Sequence, residues 1–360
     1  DAKIRASWGR TGNQEIGNFT SRGLSRGGFN YLGLSGLAPV QLENPNLTWE
    51  TTEQTNAGVD LRFFGNRLNF TFDYYIKKTH GLLLEVLLPT SSGYASSVQN
   101  VGNVQNKGVE LQLGSTNIAT NDFSWRTDFN IAFNRNKVTS LPDGDDRPLG
   151  FNGYASVLKV GYPLGTLFGW RILRVNPETG NYDFEDVDGN GNVPYASTTT
   201  DNTVLATYRN FDASIFMHFV YGNTIFNHPK YSYGRMHTWF NSFTDAKDRW
   251  RKPGDETWLH RAAWGDPTRN GSVSDRVHED GSFLKIKSIN LGYTVKADKL
   301  KQIGVQNLRI YVVGQNLFTF TKYTGFDPEV NSYGNDAQFG FDMNAYPQVK
   351  SYTLGLNIGF

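Results

Sequence analysis

The stretch Leu68-Asn69-Phe70-Thr71-Phe72-Asp73-Tyr74-Tyr75-Ile76-Lys77 decides the fold. Apolar side chains stand at 68, 70, 72, 74 and 76, and more polar ones stand between them. A period of two puts each set on its own face of a β-strand. The same alternation returns at 109–113, in Trp125, Phe129, Ile131 and Phe133, and at 211–221. It is most regular at the end of the sequence, in Tyr352, Leu354, Leu356, Ile358 and Phe360. The one convincing helical stretch is short, at 297–302.

Strands with one apolar and one polar face allow a soluble sandwich with the apolar face inside, or a membrane barrel with it outside. The polar faces carry Arg, Lys, Asp and Asn, and several strands reach the ~9–11 residues that a tilted bilayer crossing needs. The pattern therefore predicts an all-β chain, a transmembrane antiparallel β-barrel. Twelve strands can be counted, at 2–11, 53–64, 68–78, 107–117, 123–136, 153–161, 166–175, 203–208, 211–221, 283–295, 307–318 and 350–360. Short connections follow the even-numbered strands, at 65–67, 118–122, 162–165, 208–210 and 296–306. Long ones, at 12–52, 79–106, 137–152, 176–202, 222–282 and 319–349, follow the odd-numbered strands. Outer-membrane barrels alternate in this way between short periplasmic turns and long extracellular loops. The alternation puts Phe360 and the C-terminus on the periplasmic side. Loss of either 153–161 or 203–208 alone would break it.

Composition agrees with this reading. The 360 residues carry 35 Lys+Arg against 34 Asp+Glu, a net charge of +1 that argues against nucleic acid or an anionic membrane surface as the main partner. Cysteine is absent, which removes disulfides, thiol nucleophiles and Cys-ligated zinc. Aromatics reach 14%. No run of about 18 apolar residues exists to make a membrane-spanning helix. The sequence opens at Asp1 in mid-pattern with no visible signal peptide, as an internal or mature segment would.

Three features could carry function. Trp239, Phe240, Trp250, Trp258 and Trp264 crowd into the longest loop, and Tyr323, Phe326 and Tyr333 into the next. Aromatic faces in a wet loop suit a loop minicore, a protein docking surface or direct contact with a sugar or peptide, with minicore or docking favoured. Asp186, Asp188, Asn190 and Asn192 place an oxygen side chain at every second position, with Gly191 at the sixth, as in the first half of a calcium loop. The twelfth position is Ser197 rather than a bidentate Glu, so an ordinary turn cluster is the stronger reading and no other cofactor is implied. His260 and His278 stand near Asp266 and Asp280 in the longest loop, rim groups of the kind a barrel hydrolase would need, and polar loop residues by default.

Several segments, taken in order, resemble one family. They are Ile4-Arg5-Ala6-Ser7-Trp8-Gly9 with Thr11-Gly12-Asn13, Leu47-Thr48-Trp49-Glu50 with Thr55-Asn56, and Asn100-Val101-Gly102-Asn103 followed by Asn106-Lys107-Gly108-Val109-Glu110-Leu111. Asn134-Arg135-Asn136-Lys137-Val138, Gly161-Tyr162-Pro163-Leu164-Gly165 and Gly314-Gln315-Asn316-Leu317-Phe318 follow. Tyr323-Thr324-Gly325-Phe326-Asp327-Pro328-Glu329 and Tyr346-Pro347 complete the series. Together they resemble the C-terminal half of the barrel of SusC/RagA-type TonB-dependent outer-membrane transporters of Bacteroidota.

The resemblance implies that residues 1–360 are the last part of a 22-strand barrel. An N-terminal plug and a TonB-contacting segment would lie outside this sequence. It implies import of large nutrients such as oligosaccharides or oligopeptides, no catalysis, and a SusD-like surface lipoprotein seated on the long loops. The series Tyr352, Leu354, Leu356, Ile358 and Phe360 resembles the terminal signal read by the barrel-assembly machinery, and its apolar face would meet outer-membrane lipid. The alternative is a small barrel closing on its own, acting as a porin or as a rim hydrolase.

The register makes a direct prediction. Phe72→Arg should impair membrane insertion by about 2–4 kcal/mol near the bilayer midplane, whereas Asp73→Arg should be tolerated. Folding yield in lipid vesicles reads both, and the opposite result would invert the register.

Overall fold

In the computed structural model the described residues are 1–13, 17–94, 96–141, 146–149, 156–185, 192–193, 198–295, 300, 304–332 and 340–360. Ten strands form one antiparallel sheet in chain order: β1 (Ala2–Asn13), β2 (Glu50–Phe63), β3 (Leu68–His80), β4 (Asn103–Ala119), β5 (Phe123–Ser140), β6 (Thr198–Tyr208), β7 (Phe211–Tyr221), β8 (Phe283–Val295), β9 (Asn307–Thr321) and β10 (Ser351–Gly359). Each strand pairs only with its neighbours in sequence. β1 and β10 form the two edges and do not meet, so this wall is open. A twelve-strand barrel closed on itself, as a porin would need, is not what these residues form.

The count of twelve is thus corrected to ten. The expected strands at 153–161 and 166–175 are absent from the wall. Their described parts, Ser156–Leu158, Thr166–Phe168 and Ile172–Val175, join small sheets at the loop end. Three or four residues cannot cross a bilayer, and Ser156–Leu158 is buried throughout rather than on alternate residues. The expected turn at 162–165 sits at the opposite end of the wall from a turn. The Gly161 N–H donates to the Val138 carbonyl, and Val138 donates to Tyr162, near the end of β5. Both strands leave together, so the alternation of connections survives. Short links at 64–67, 120–122, 209–210 and 296–306 mark the turn end, and long ones at 14–49, 81–102, 141–197, 222–282 and 322–350 mark the loop end. The helix expected at 297–302 lies outside the described residues except at Leu300. A helix the periodicity missed, α1 (His228–Tyr233), is capped by the Asn227 side chain, which accepts from the Lys230 N–H.

The faces follow the sequence. Phe72 lies opposite Val59 and Leu111, and Phe70 opposite Leu61 and Leu113, with no bulge along β3. On the other face Arg5, Gly58 and Asp73 stand side by side on β1, β2 and β3. The Arg5 guanidinium bonds Asp60 at 2.9 Å and Asp73 at 3.0 Å. To reach Asp73 it passes over Gly58, where an added Cβ would lie 2.2 Å from an Asp73 carboxylate oxygen and 3.0 Å from Arg5. The arrangement repeats at the far side, where Arg309 of β9 reaches across Gly292 of β8 to Asp212 of β7 at 2.9 Å. The tolerance expected of Asp73→Arg is therefore revised, because that change sets two guanidinium groups against each other.

The core does not lie under the wall. Phe226, Phe341, Leu158, Ile225, Leu259, Val101, Val138 and Val277 are fully buried, and all stand in the long connections or at the loop end of a strand. Helix and strand content agree with this: no helix is long and apolar enough to cross a membrane, which says nothing of strands.

Gly58→Val should cost about 1–3 kcal/mol by overpacking, read as a lower urea midpoint of the intact protein refolded in lipid. Gly9→Val, where nothing lies within 4 Å of an added Cβ, should leave the midpoint unchanged. Equal midpoints for both variants would remove Gly58 from this role.

Candidate functional site: a packed cap at the loop end

Three long connections, at 141–197, 222–282 and 322–350, fold onto one another through their described residues. Thr224–Asn227 is the middle strand of a small sheet, antiparallel to His278–Asp280 and parallel to Phe341–Asp342. That pairing joins the 222–282 connection to 322–350. Phe226 and Phe341 pack at 5.2 Å between ring centres, with Leu167, Val273 and Val277 around them. The 141–197 connection is tied in by backbone bonds. Trp170 donates to Val273, Asp275 to Trp170, Arg261 to Gly180, and Tyr182 to the Asn270 side chain at 2.9 Å.

Glu279 is the polar centre of this cap. One of its oxygens accepts from Asn227, Lys230 and the Thr324 hydroxyl at 3.0, 3.1 and 2.8 Å. The other accepts from the Thr324 N–H at 2.8 Å. The cap is anchored to the wall by charge. Lys285, fully buried on the inner face of β8, bonds both Asp327 oxygens at 2.7 Å and Glu329 at 3.0 Å. Lys287 also bonds Glu329, at 2.7 Å. Burial pushes the Glu329 carboxyl up, but bonds from Lys287 and Lys285 outweigh it and hold the group below the usual range. Sequence reasoning missed this clamp. Its signal was there: Lys285 and Lys287 two apart on a strand, and Asp327 and Glu329 two apart in the quoted Tyr323–Glu329 segment.

The expected contact residues divide. Trp239, Phe240, Trp258, Trp264 and Phe326 are exposed, Trp239, Trp264 and Phe326 by three-quarters or more of their surface. Trp239 and Phe240 stack at 5.2 Å, and the Gly265 N–H donates to His237, which brings Trp264 close to the same turn. Trp250 and Tyr323 instead serve the cap. The Trp250 indole N–H donates to Pro177 at 2.7 Å with its ring over Gly180. Tyr323 is buried and donates to Asp342 at 2.6 Å; burial, that bond and the nearby carboxylate raise its pKa, so it stays a phenol. Tyr333, Asp186, Asp188 and Asn190 lie outside the described residues, and Asn192 opens the two-residue strand Asn192–Val193. Tyr352, Leu354, Leu356, Ile358 and Phe360 all stand exposed along and just beyond the edge strand β10.

His260 and His278 do not assemble a hydrolytic dyad. His260 is buried edge-on against the Tyr182 ring, its Nδ1 2.6 Å from the Arg261 carbonyl. His278 packs against Phe226. Asp266 accepts from Gly271 and Asp280 from Ser282. Burial pushes both imidazoles down to about 4, so they are neutral packing groups.

The family model described as TonB dependent receptor-like, beta-barrel matches residues 1–221. The chain belongs to the TonB-dependent receptor β-barrel family. TonB-dependent receptor P3 of Formosa agariphila is 34% identical over 99% of this chain and 39% of its own length. TonB-dependent receptor SusC of Bacteroides thetaiotaomicron is 29% identical over 100% of this chain and 38% of its own. A solved structure of the RagAB peptide transporter superposes over 100% of this chain and 41% of the matched chain, with a TM-score of 0.84 and 25% identity. The chain thus spans about two-fifths of the length of these relatives. Membership makes the ten strands part of a TonB-dependent receptor β-barrel of the outer membrane.

The cap of this receptor should respond to acid. The unfolded chain protonates His260 and His278 near 6.5, whereas the folded chain does so only near 4. Their contribution is therefore present above pH 6.5 and lost as pH falls toward 4. Amide exchange within 222–282 should accelerate at pH 5 relative to pH 7, after correction for intrinsic rates, while β3 and β4 stay protected. Uniform behaviour of cap and wall would contradict this.

Proposed function

We propose that this chain is the C-terminal wall and mouth of an energy-coupled outer-membrane importer of large nutrients, oligopeptides or oligosaccharides, in which TonB acts through a plug carried on other sequence. The wall binds and passes its cargo without covalent chemistry. The turn end and the C-terminus face the periplasm, and the cap faces outward. β10 and its terminal aromatic serve recognition by the barrel-assembly machinery.

The observation that carries this reading is the contrast within the cap. Its interior is bonded into one body through Glu279 and the Lys285 clamp, yet its surface exposes Trp239, Phe240, Trp258, Trp264 and Phe326. Large aromatics left in water on a rigid base are the composition of a protein interface. A SusD-like surface lipoprotein is the partner that fits them, with cargo held between lipoprotein and wall. A peptide cargo is supported by the likeness to the RagAB peptide transporter.

Removing the whole 240–265 segment would also remove Trp250, Leu259 and His260 from the cap, so surface substitutions are the sharper test. Trp239→Ala, Phe240→Ala and Trp264→Ala together should leave the intact receptor inserted but lower lipoprotein co-purification at least tenfold, since interface anchors of this kind are each worth roughly 1–2 kcal/mol or more. Undiminished co-purification together with normal uptake would refute docking at this surface.

A further inference from the structure

Two of the family-like segments, at 106–111 and 134–138, carry outward side chains that take no part in the cap, although Asn136 from the other face and Val138 through its backbone hold the 161–164 stretch. They lie side by side in register. Lys107 of β4 stands directly opposite Arg135 of β5, and Gln105 opposite Lys137. On the other side of β4, Ile76 pairs with Lys107 and Lys78 with Gln105. No bulge interrupts β3, or β4 and β5 between Val104 and Thr116, so parity fixes the faces. Lys78, Lys107, Arg135 and Lys137 share the face of Phe72, Tyr74, Val109, Leu111, Ile131 and Phe133, the face turned away from Asp73, Glu110 and Asn134. All four are exposed.

Like charges placed directly opposite on a sheet repel, and the diagonal neighbours Lys78 and Lys107 stand only about 7–8 Å apart. Such a row needs counter-charge. Among the described residues none of the four makes an ion pair with a carboxylate, and Glu53, opposite Lys78, is approached by Arg10 at 4.0 Å. On the inner face Arg5, Arg126 and Arg309 are each paired with aspartate, whereas Arg62 and Lys77, which make no ion pair among the described residues, stand apart from one another and form no such row. Beside the row a cavity of about 280 Å³ opens between Lys78, His80, Gln105 and Thr139.

Height identifies the anion. On three adjacent strands the apolar band ends and the cations begin at the same level, after Ile76, before Val109 and after Phe133. The apolar run from Leu68 to Ile76 rises about 27 Å along the strand. That length, once tilted, matches an outward apolar band of ~25 Å. The cations therefore stand where the hydrocarbon of the outer leaflet gives way to headgroups, at the loop end.

We propose that Lys78, Lys107, Arg135 and Lys137 form a binding site for the phosphate groups of an outer-leaflet glycolipid. The site rests on the membrane-wall reading and not on the choice of cargo or lipoprotein. The intact receptor should be purified in mild detergent from outer membranes, as wild type and as Lys107→Gln/Arg135→Gln/Lys137→Gln, with folding monitored by heat-modifiable electrophoretic mobility. Native mass spectrometry should show phosphorylated glycolipid retained on the wild type and reduced at least ~tenfold on the folded variant, since each basic group near a lipid surface is worth a several-fold factor. Equal retention on both overturns the proposal.

A second measurement needs only the wild type and covers a variant that does not fold. Receptor in phosphatidylcholine vesicles carrying lipid A should hold it at least tenfold more tightly than lipid A stripped of phosphate. Equal affinity overturns the proposal. So does inorganic phosphate alone binding as tightly as the lipid, which would make the row a free-anion site. Failure of the wild type to insert at all would instead count against the membrane wall itself.

Discussion

Everything in this structure follows from one constraint: a backbone that meets hydrocarbon has to satisfy its own N–H and C=O groups. A continuous antiparallel ladder does that, and the ladder forces side chains to alternate. Once the apolar set faces lipid, the inner face holds mainly polar side chains, and no apolar core can form beneath the wall. The only place left for one is the loop end. That is where Phe226, Phe341, Ile225 and Val277 are fully buried, in connections that in most proteins would lie open.

The inner face meets its own difficulty, which is holding charged side chains on a sheet with no partner sheet above them. Neighbouring strands bring Arg5 and Asp73 to either side of a third strand, too far apart for a direct bond over an ordinary side chain. Gly58 at the crossing lowers the surface enough for the bridge, and Gly292 does the same between Arg309 and Asp212. Tyr75 lies over Gly108 in the same way to reach Asn134 at 3.1 Å. These bridges run across strands, so they fix register as well as charge. A one-residue slip would turn Arg5 and Asp73 toward lipid.

The wall was legible because its signal is local. The alternation from Leu68 to Lys77 needs no knowledge of any other strand. It failed at 153–161 and 166–175, where short segments, Ser156–Leu158 buried on both faces and Ile172–Val175 largely exposed, imitate strands without the length to cross. The cap was legible only in outline. An excess of Trp in 222–282 announced a packed or docking loop. It could not tell Trp250, held by Pro177, from Trp239 and Trp264, which stand free of the core, because that depends on a turn some 70 residues away. The clamp from Lys285 to Asp327 was harder still. Its partners are 42 residues apart, and a buried lysine looks in sequence like any charge on a polar face.

That clamp bears on how such a mouth could open. Buried ion pairs add little net stability compared with apolar packing, but losing one partner leaves an uncompensated charge, commonly at a cost of about 3–5 kcal/mol. A motion that swung the 322–350 connection away from β8 would have to strip Asp327 and Glu329 from Lys285 and Lys287 at once. It would also break the Thr324 bonds to Glu279, which tie that connection to 222–282. The two connections and β8 therefore move as one body or not at all. Under the proposed importing role, an opening would then fall at a surface the cap presents rather than within it, on the side where the aromatics are exposed.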